Sequence, residues 1–300
     1  MIENIEKFKG VFVALYACYD DEGNICKEKI QNLAQWYVEK GVNGLYLTGS
    51  SGEAMMHTSE ERIDTMKAVV EAVGGKTTII AHVAAPSTKE SCYLASAAAD
   101  VGVDAISAVP NIYYPLPGNC IEAHWDAMIE AAKLPFFIYN VPSTTGYNIS
   151  MSLFENMMKK PYVAGIKTTS PNSSLISRMK RAGGENTLIF NGEDAQLLAG
   201  LTMGATGGIG GTYGAMPELY VNLYRAFCEG NMEEALLWQN RADTALMHGR
   251  VGWSTGVACM KAILNARGMD CGGVRAPFKY VPADTPVVRE AAEMIESWLK

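Results

Sequence analysis

Short apolar runs, many of them rich in β-branched and aromatic residues, alternate with longer amphipathic segments along most of the chain. Most of the runs are apolar throughout, which is typical of strands covered on both faces. The eight runs lie at 11–16, 44–49, 77–83, 104–109, 135–141, 163–169, 187–192 and 205–211. A strand followed by a helix, repeated eight times, predicts a parallel sheet with right-handed crossovers.

The segments between the runs have helical periodicity. We predict helices over 27–41, 59–74, 91–102, 122–133, 152–160, 174–183, 194–204 and 217–230. Glycine, which favours the left-handed conformation at helix ends, is expected to end six of them. These glycines are Gly41, Gly74, Gly102, Gly183, Gly204 and Gly230. Ser59, followed by Glu61, has the pattern of a helix start, because acidic side chains favour the positive end of the helix dipole.

Eight such units in about 230 residues match the usual size of a (β/α)8 TIM barrel. A doubly wound open sheet is the alternative, but no G-x-G-x-x-G turn follows the first strand. Residues 231–300 carry no further strand pattern and predict helices over 232–249, 254–268 and 286–300, joined by an extended connection at 273–286. We therefore expect a barrel over 1–230 with C-terminal helices (231–300) packed on it as one structural unit.

Composition narrows the possible partners. The 300 residues are 48% hydrophobic and 19% charged, with a net charge of −7 and no basic run, which argues against nucleic acid and anionic membranes as partners. The N-terminus lacks the apolar core of a signal peptide, and no apolar stretch approaches 18 residues. Seven scattered cysteines without a C-x-x-C favour a reduced, cytoplasmic protein. Neither the cysteines nor the four histidines have metal-ligand spacing, so no metal site is expected.

Active-site residues of such a barrel lie at the carboxyl ends of its strands. Lys167 lies near the end of the sixth run and shares a face with Val163 and Gly165, since strand side chains alternate. A strand-end lysine usually reaches solvent or pairs with a carboxylate. At a barrel mouth, however, a partly desolvated lysine can attack a carbonyl and form a Schiff base.

Three further strand ends carry candidate chemistry. Tyr139 is either a core tyrosine or, if it faces the interior near Lys167, a group that can move protons. The serines of GSSGE (49–53) and nearby backbone N–H groups can hold a carboxylate. The glycine-rich segment at 204–214 fits either a phosphate site or close backbone packing.

Six short motifs occur in an order that resembles a known family. They are GSSGE at 49–53, YYP at 113–115, YNVP at 139–142, GIK at 165–167, FNGED at 190–194 and GGIGGTYGAMPE at 207–218. Together they resemble the pyruvate-dependent class I lyases and synthases typified by N-acetylneuraminate lyase and dihydrodipicolinate synthase. The resemblance runs from about residue 8 to the C-terminus. It implies a barrel with C-terminal helices, a homotetramer, and no metal or organic cofactor beyond the covalent Schiff base.

The resemblance also assigns catalytic roles to three residues. Lys167 matches the lysine that forms the Schiff base with pyruvate or another 2-keto acid substrate. Tyr139 matches the tyrosine that moves protons and orients the pyruvate-derived part. Tyr113 matches an aromatic residue that, in the synthases, reaches the site of a neighbouring subunit as a proton relay.

Substrate-binding positions carry over in the same way. Ser50 and Ser51 match the paired hydroxyl residues that hold the pyruvate carboxylate. Thr169, Gly192 and Asp194 match positions that contact the sugar-like half of the substrate in the lyases.

Three residues bear on which member of the family this is. Thr144 stands where the synthases have an arginine for a second carboxylate, which favours a lyase. Ala195 replaces a glutamate that sialic acid lyases usually have, and Gly211 replaces a serine found in some of them. We expect cleavage of N-acetylneuraminate or a related 2-keto-3-deoxy sugar acid. The alternatives are a 4-hydroxy-tetrahydrodipicolinate synthase, a 2-keto acid hydratase or dehydratase, and a non-catalytic 2-keto acid binding protein.

Overall fold

The computed structural model describes residues 4–110, 112–252 and 254–300. Eight parallel strands close into a barrel in chain order, β1 next to β2 and finally β8 next to β1. The strands are β1 Gly10–Ala14, β2 Gly44–Leu47, β3 Thr78–His82, β4 Ala105–Ala108, β5 Phe136–Asn140, β6 Val163–Thr168, β7 Leu188–Asn191 and β8 Gly207–Gly210. Each lies within the run that predicted it, except that β1 begins one residue earlier. The (β/α)8 barrel is confirmed.

Helices cover the outside of the barrel. They are α1 Lys27–Glu39, α2 Ser59–Val73, α3 Thr88–Val101, α4 Gly118–Ala132, α5 Pro142–Thr145, α6 Met151–Met158, α7 Ser174–Gly183, α8 Leu197–Thr202 and α9 Pro217–Cys228. Short 3-10 helices occupy Ile5–Phe8, Ala54–Met56, Asp194–Gln196 and Thr212–Gly214. The single-turn helix α5 was not predicted, because four residues are too few to show helical periodicity.

Two of the predicted helix ends are displaced by one residue. Gly74 has a φ of −54°, and the left-handed residue is Gly75. Gly183 is the last residue of α7, and Gly184 takes the positive φ. Both cases are Gly-Gly pairs, in which either glycine can adopt a left-handed conformation. The other four glycines have positive φ, as predicted: Gly41, Gly102, Gly204 and Gly230.

Aromatic side chains fill the interior of the barrel. The ring centroids of Phe12 and Phe190 are 4.9 Å apart, and those of Phe137 and Phe190 are 5.4 Å apart. Phe8, from the 3-10 helix that precedes β1, lies 5.3 Å from Phe137. All four rings are fully buried. Because Phe8 approaches from the amino ends of the strands, these rings close that end and leave the carboxyl ends as the open mouth.

In the described part of the chain three helices follow the barrel: α10 Met232–His248, α11 Gly256–Ala266 and α12 Pro286–Trp298. Helix α10 packs on α9 and α12, and α11 packs on α12. That residues 231–300 form one structural unit with the barrel stays a prediction. Residues 267–285, hereafter the strap, connect α11 to α12 without helix or strand.

Two features are absent from the described part of the chain. None of its helices has the length and apolarity needed to cross a membrane. Within the same residues, no group of three or more His, Cys, Asp or Glu side chains comes together in a way that could hold a metal ion.

Candidate active site

Lys167 lies inside the barrel near the carboxyl end of β6. The residue is 4% exposed, so the alternative of a lysine reaching solvent is wrong. Its Nζ lies 4.1 Å from the centroid of the Tyr139 ring and 4.6 Å from that of Tyr46. No carboxylate of the described residues forms an ion pair with it. Aromatic faces, rather than a paired anion, therefore surround the amine.

Tyr139 is the direct cross-strand neighbour of Lys167. Strands β5 and β6 pair in a register that places the two residues side by side. The Tyr139 ring is buried and meets the rings of Tyr46 and His82 edge-on, at centroid distances of 5.9 and 6.0 Å. The interpretation that Tyr139 faces the barrel interior beside Lys167 therefore agrees with the structure.

Tyr46 and His82 complete this cluster, although neither residue was assigned a role from the sequence. Tyr46 donates a hydrogen bond to the Ser107 hydroxyl at 3.0 Å, and burial raises the pKa of its own hydroxyl well above the usual value. His82 was visible only as a polar residue at a strand end. Tyr46 lies inside an apolar strand, where an aromatic residue is ordinary. Only the barrel's closure shows that Tyr46 faces Lys167.

His82 is held as a neutral imidazole. Burial is the main cause that lowers its pKa to about 3, and the charge of Arg62 adds to the effect. Its Nδ1 lies 3.0 Å from the carbonyl oxygen of Thr48, while the Val109 N–H points to its Nε2 at 3.4 Å. These contacts fit a tautomer that is protonated at Nδ1, which leaves no positive charge to compete with Lys167.

The GSSGE segment forms a tight turn at the mouth, directly after β2. Thr48, just before it, and Glu53, its last residue, both have left-handed backbones with φ of 51° and 53°. The Glu53 N–H donates to the carbonyl oxygen of Ser50 at 3.1 Å. Ser50 is exposed and Ser51 is half-buried, so both hydroxyl residues are at the mouth, as predicted for a carboxylate site.

A small cavity of about 100 Å³ lies beside this turn. Ser50, His82, Tyr113 and Thr144 all line it. Tyr113 is 88% exposed and has a φ of 72°, and its ring packs edge-on against Tyr114. Within a single chain, Tyr113 is thus near Ser50 but is not part of the aromatic cluster around Lys167.

The remaining predicted residues meet at the ends of β6 and β7. Thr169 carries a buried hydroxyl without a hydrogen-bond partner among the described residues. A side chain at Gly192 would collide with this hydroxyl, so the close approach requires glycine. Asp194 also has a buried oxygen, Oδ1, that lacks a partner within the described chain. Unpaired buried polar atoms are costly, and together these two indicate a place for a polar ligand.

Asp194 is anchored through its other oxygen. Oδ2 accepts hydrogen bonds from the backbone N–H and the hydroxyl of Thr212, both at 2.7 Å. Burial raises the pKa of Asp194 to about 6, against the opposing effect of these bonds and of the Lys167 charge. The carboxylate is therefore fixed in position with one oxygen available.

Close packing explains the glycine-rich segment at 204–214. A Cβ on Gly207 would strike the backbone of Gly10, and one on Gly211 would lie 2.6 Å from the Ser51 Oγ. The Tyr16 hydroxyl donates to the Gly211 carbonyl oxygen. Of the two interpretations, these contacts favour backbone packing over a phosphate site.

Known proteins match the chain over nearly its full length. The Dihydrodipicolinate synthetase family (DHDPS) matches residues 7–296. The chain belongs to this family. The N-acetylneuraminate lyase of Mediterraneibacter gnavus is 43% identical over 297 residues, covering 98% of this chain and 94% of the relative. That of Rhizobium meliloti is 35% identical over 296 residues, covering 97% of each protein.

Solved structures agree with these relatives. The wild-type sialic acid aldolase of Ruminococcus gnavus has a TM-score of 0.94 at 43% identity and covers 97% of this chain and 98% of that one. A catalytic lysine mutant of the same aldolase has a TM-score of 0.95, covering 98% and 97%. The resemblance seen in the ordered motifs is confirmed. The chain is a carbon–carbon lyase of the class I aldolase type.

Proposed function

We propose that this chain cleaves N-acetylneuraminate, or a related 2-keto-3-deoxy sugar acid, to pyruvate and an aldehyde through a Schiff base on Lys167. One observation carries the proposal. A buried lysine lies at the barrel mouth against Tyr139 and Tyr46, and no described carboxylate pairs with it. The names of the relatives support both the reaction and the substrate class.

The proposed reaction begins at Lys167. Its Nζ attacks the 2-oxo carbon of the substrate, and loss of water from the carbinolamine leaves a protonated imine. Ser50, Ser51 and neighbouring backbone N–H groups hold the substrate carboxylate. Asp194 Oδ1 accepts a hydrogen bond from one hydroxyl of the sugar half, and the Thr169 hydroxyl donates to or accepts from another, which would give both unpaired atoms a partner.

Bond cleavage then uses Tyr139. Tyr139 first gives its proton to the departing carbinolamine hydroxyl. The resulting phenolate removes the proton of the C4 hydroxyl, the C3–C4 electron pair moves toward the imine, and the aldehyde leaves. Tyr139 then gives that proton to C3 of the enamine, and it regains one from the water that hydrolyses the new imine to free Lys167 and pyruvate. The imine accepts the electrons, so the scheme uses no metal or organic cofactor.

Reductive trapping tests the proposal. Incubation with pyruvate and borohydride should add one reduced pyruvate to the protein, and peptide mass spectrometry should locate it on Lys167. Lys167→Arg should abolish the adduct, because a guanidinium does not form this imine. Lys261 is a second fully buried lysine, but it contacts the Glu53 carboxylate at 3.3 Å. An adduct on Lys261, or no adduct at all, would overturn the mechanism.

A substrate screen separates the alternatives. N-acetylneuraminate, 2-keto-3-deoxy sugar acids and aspartate semialdehyde would each be supplied, and pyruvate formed or consumed would be measured. Thr144 lines the cavity beside Ser50, and it lacks the charged fork of an arginine. We therefore expect no synthase activity with aspartate semialdehyde. Gain or loss of water without pyruvate would indicate a hydratase or dehydratase, and ligand binding without turnover a binding protein.

We further propose a cytoplasmic homotetramer with a 2-keto acid as its small-molecule substrate. The exposure of Tyr113 supports the assembly, because the family resemblance assigns it to the site of a neighbouring subunit. The scattered cysteines support a reducing compartment. Light scattering of the purified protein would give the mass to compare with four copies of 32.5 kDa.

A further inference from the structure

A fully buried ion pair links the barrel mouth to the C-terminal helices. Lys261 of α11 and Glu53 of the GSSGE turn have side chains that are 1% and 0% exposed, and their charged atoms are 3.3 Å apart. Lys261 also donates to the carbonyl oxygen of Ala17 at 2.7 Å. The other Glu53 oxygen accepts the backbone N–H of Arg275, in the strap, at 2.8 Å. The Glu53 carboxylate thus connects the GSSGE turn to both α11 and the strap.

The strap adds a second tie through the Arg275 side chain. Its guanidinium donates to both carboxylate oxygens of Glu61, at 2.7 and 2.8 Å, and to the carbonyl oxygen of Met56 at 3.0 Å. Such a bidentate ion pair fixes the relative orientation of the two groups in addition to attracting them. Glu53 and Glu61 lie on either side of the 3-10 helix Ala54–Met56. The segment from the GSSGE turn (49–53, hereafter the serine turn) to the start of α2 is therefore held at both ends.

Stability alone is a poor reason for this arrangement. Burying two charges costs desolvation energy that their attraction often fails to offset, and an apolar pair of similar volume can be equally stable. Glu53 also has a left-handed backbone, a costly conformation for a residue with a side chain. It lies two residues after Ser51, and its N–H donates to the carbonyl oxygen of Ser50. Whatever fixes Glu53 thus fixes the serine turn.

We infer that Glu53, Lys261 and Arg275 are positioning residues that hold the Ser50–Ser51 turn in place for the substrate carboxylate. The C-terminal segment then helps to bind the 2-keto acid, although neither Lys261 nor Arg275 needs to touch substrate. The inference rests on the proposed function, since it assigns the turn to the pyruvate carboxylate.

The test uses Lys261→Met and Arg275→Ala in the full chain. Each protein is titrated with pyruvate in the presence of borohydride, and the adduct on Lys167 is quantified by mass spectrometry. The half-saturating pyruvate concentration should rise about tenfold, because small displacements of a binding group are that costly. The maximal fraction of Lys167 trapped should stay at the wild-type level, because neither residue takes part in imine formation.

Lys160→Met is the matched control. Lys160 is a partly buried lysine that pairs with Glu122 and Asp126 and precedes β6, at the opposite end of the barrel from the serine turn. Its removal should lower the thermal midpoint without changing the half-saturating pyruvate concentration. Arg275 is 22% exposed at its side chain, so Arg275→Ala carries the test alone if Lys261→Met does not fold.

The two ways of failing are distinct. A wild-type protein that forms no adduct on Lys167 overturns the proposed function. A wild-type protein that forms the adduct normally, with folded Lys261→Met and Arg275→Ala that need no more pyruvate than wild type, overturns this inference alone. An equal rise in Lys160→Met would also overturn it, since the effect would then be general destabilisation.

Discussion

Asp194 shows how a single residue can be prepared for a ligand. One carboxylate oxygen is fixed by two donors from Thr212, while the other is buried without a partner in the described chain. Burial also raises its pKa to about 6. A ligand hydroxyl that donates to Oδ1 would relieve the missing hydrogen bond and favour the ionised form. A substrate rich in hydroxyls is therefore best suited to supply the missing hydrogen bond to Oδ1.

Asp194→Asn should separate the two halves of substrate recognition. The amide keeps the shape of the side chain but removes its charge, and a hydrogen bond to a charged group contributes about 1.5–3 kcal/mol. We expect KM for the sugar acid, measured from pyruvate release, to rise at least tenfold. The half-saturating pyruvate concentration in borohydride trapping should not change, because Asp194 is assigned to the sugar half. An equal rise in both quantities would contradict this assignment.

At the scale of elements, the start of α2 connects local structure to the mouth. Thr58 is the N-cap, its hydroxyl accepts the Glu61 N–H at 3.2 Å, and the Glu61 carboxylate accepts the Thr58 N–H at 2.9 Å. This capping box sits one residue before the predicted start at Ser59. Because Glu61 also pairs with Arg275, the same side chain caps the start of α2 and anchors the strap.

Thr58→Ala should weaken this helix start without disturbing the strap. Loss of an N-cap hydroxyl costs about 1 kcal/mol, which corresponds to a fall of about 2 °C in the thermal midpoint of a chain this size. Ser150→Ala is the control, since Ser150 caps α6 in the same way through the Leu153 N–H. Both variants should lose similar stability and keep the wild-type half-saturating pyruvate concentration. A raised value in Thr58→Ala alone would show that the cap itself positions the mouth.

For the whole molecule, the sequence predicted what depends on local pattern. Eight apolar runs predicted the barrel. Side-chain alternation left Tyr139 open as either a core tyrosine or an interior neighbour of Lys167, and the register of β5 and β6 decides for the second. The sequence did not predict the Glu53–Lys261 pair, whose members are 208 residues apart and meet only through the packing of α11. Tyr46 was missed for a related reason. An apolar strand does not reveal which of its aromatic residues faces a reactive group across the barrel.

Histidine burial sets the response of the whole fold to acid. The pKa of His57 is lowered to about 4 and that of His82 to about 3, in both cases mainly by burial. At pH values between these lowered pKa values and the usual 6.5, the two histidines bind protons in the unfolded chain but not in the folded chain. Folding stability must therefore fall as pH decreases from about 6.5. Asp194 acts in the opposite sense between about pH 4 and 6, because the folded chain holds its proton more tightly, and it offsets part of the loss.

His57→Gln should make the acid response shallower. The His57 Nε2 lies 2.7 Å from the Tyr19 hydroxyl, a contact that glutamine can partly replace. We expect the thermal midpoint of the wild-type protein to fall steadily between pH 6.5 and 4.5, whereas the variant loses less over the same interval even if it is less stable at pH 8. Differential scanning calorimetry at fixed ionic strength would measure both curves. Parallel curves would mean that His57 titrates alike in the folded and unfolded chains, and the acid sensitivity in this interval would then belong to His82 and to His124, whose pKa burial also lowers.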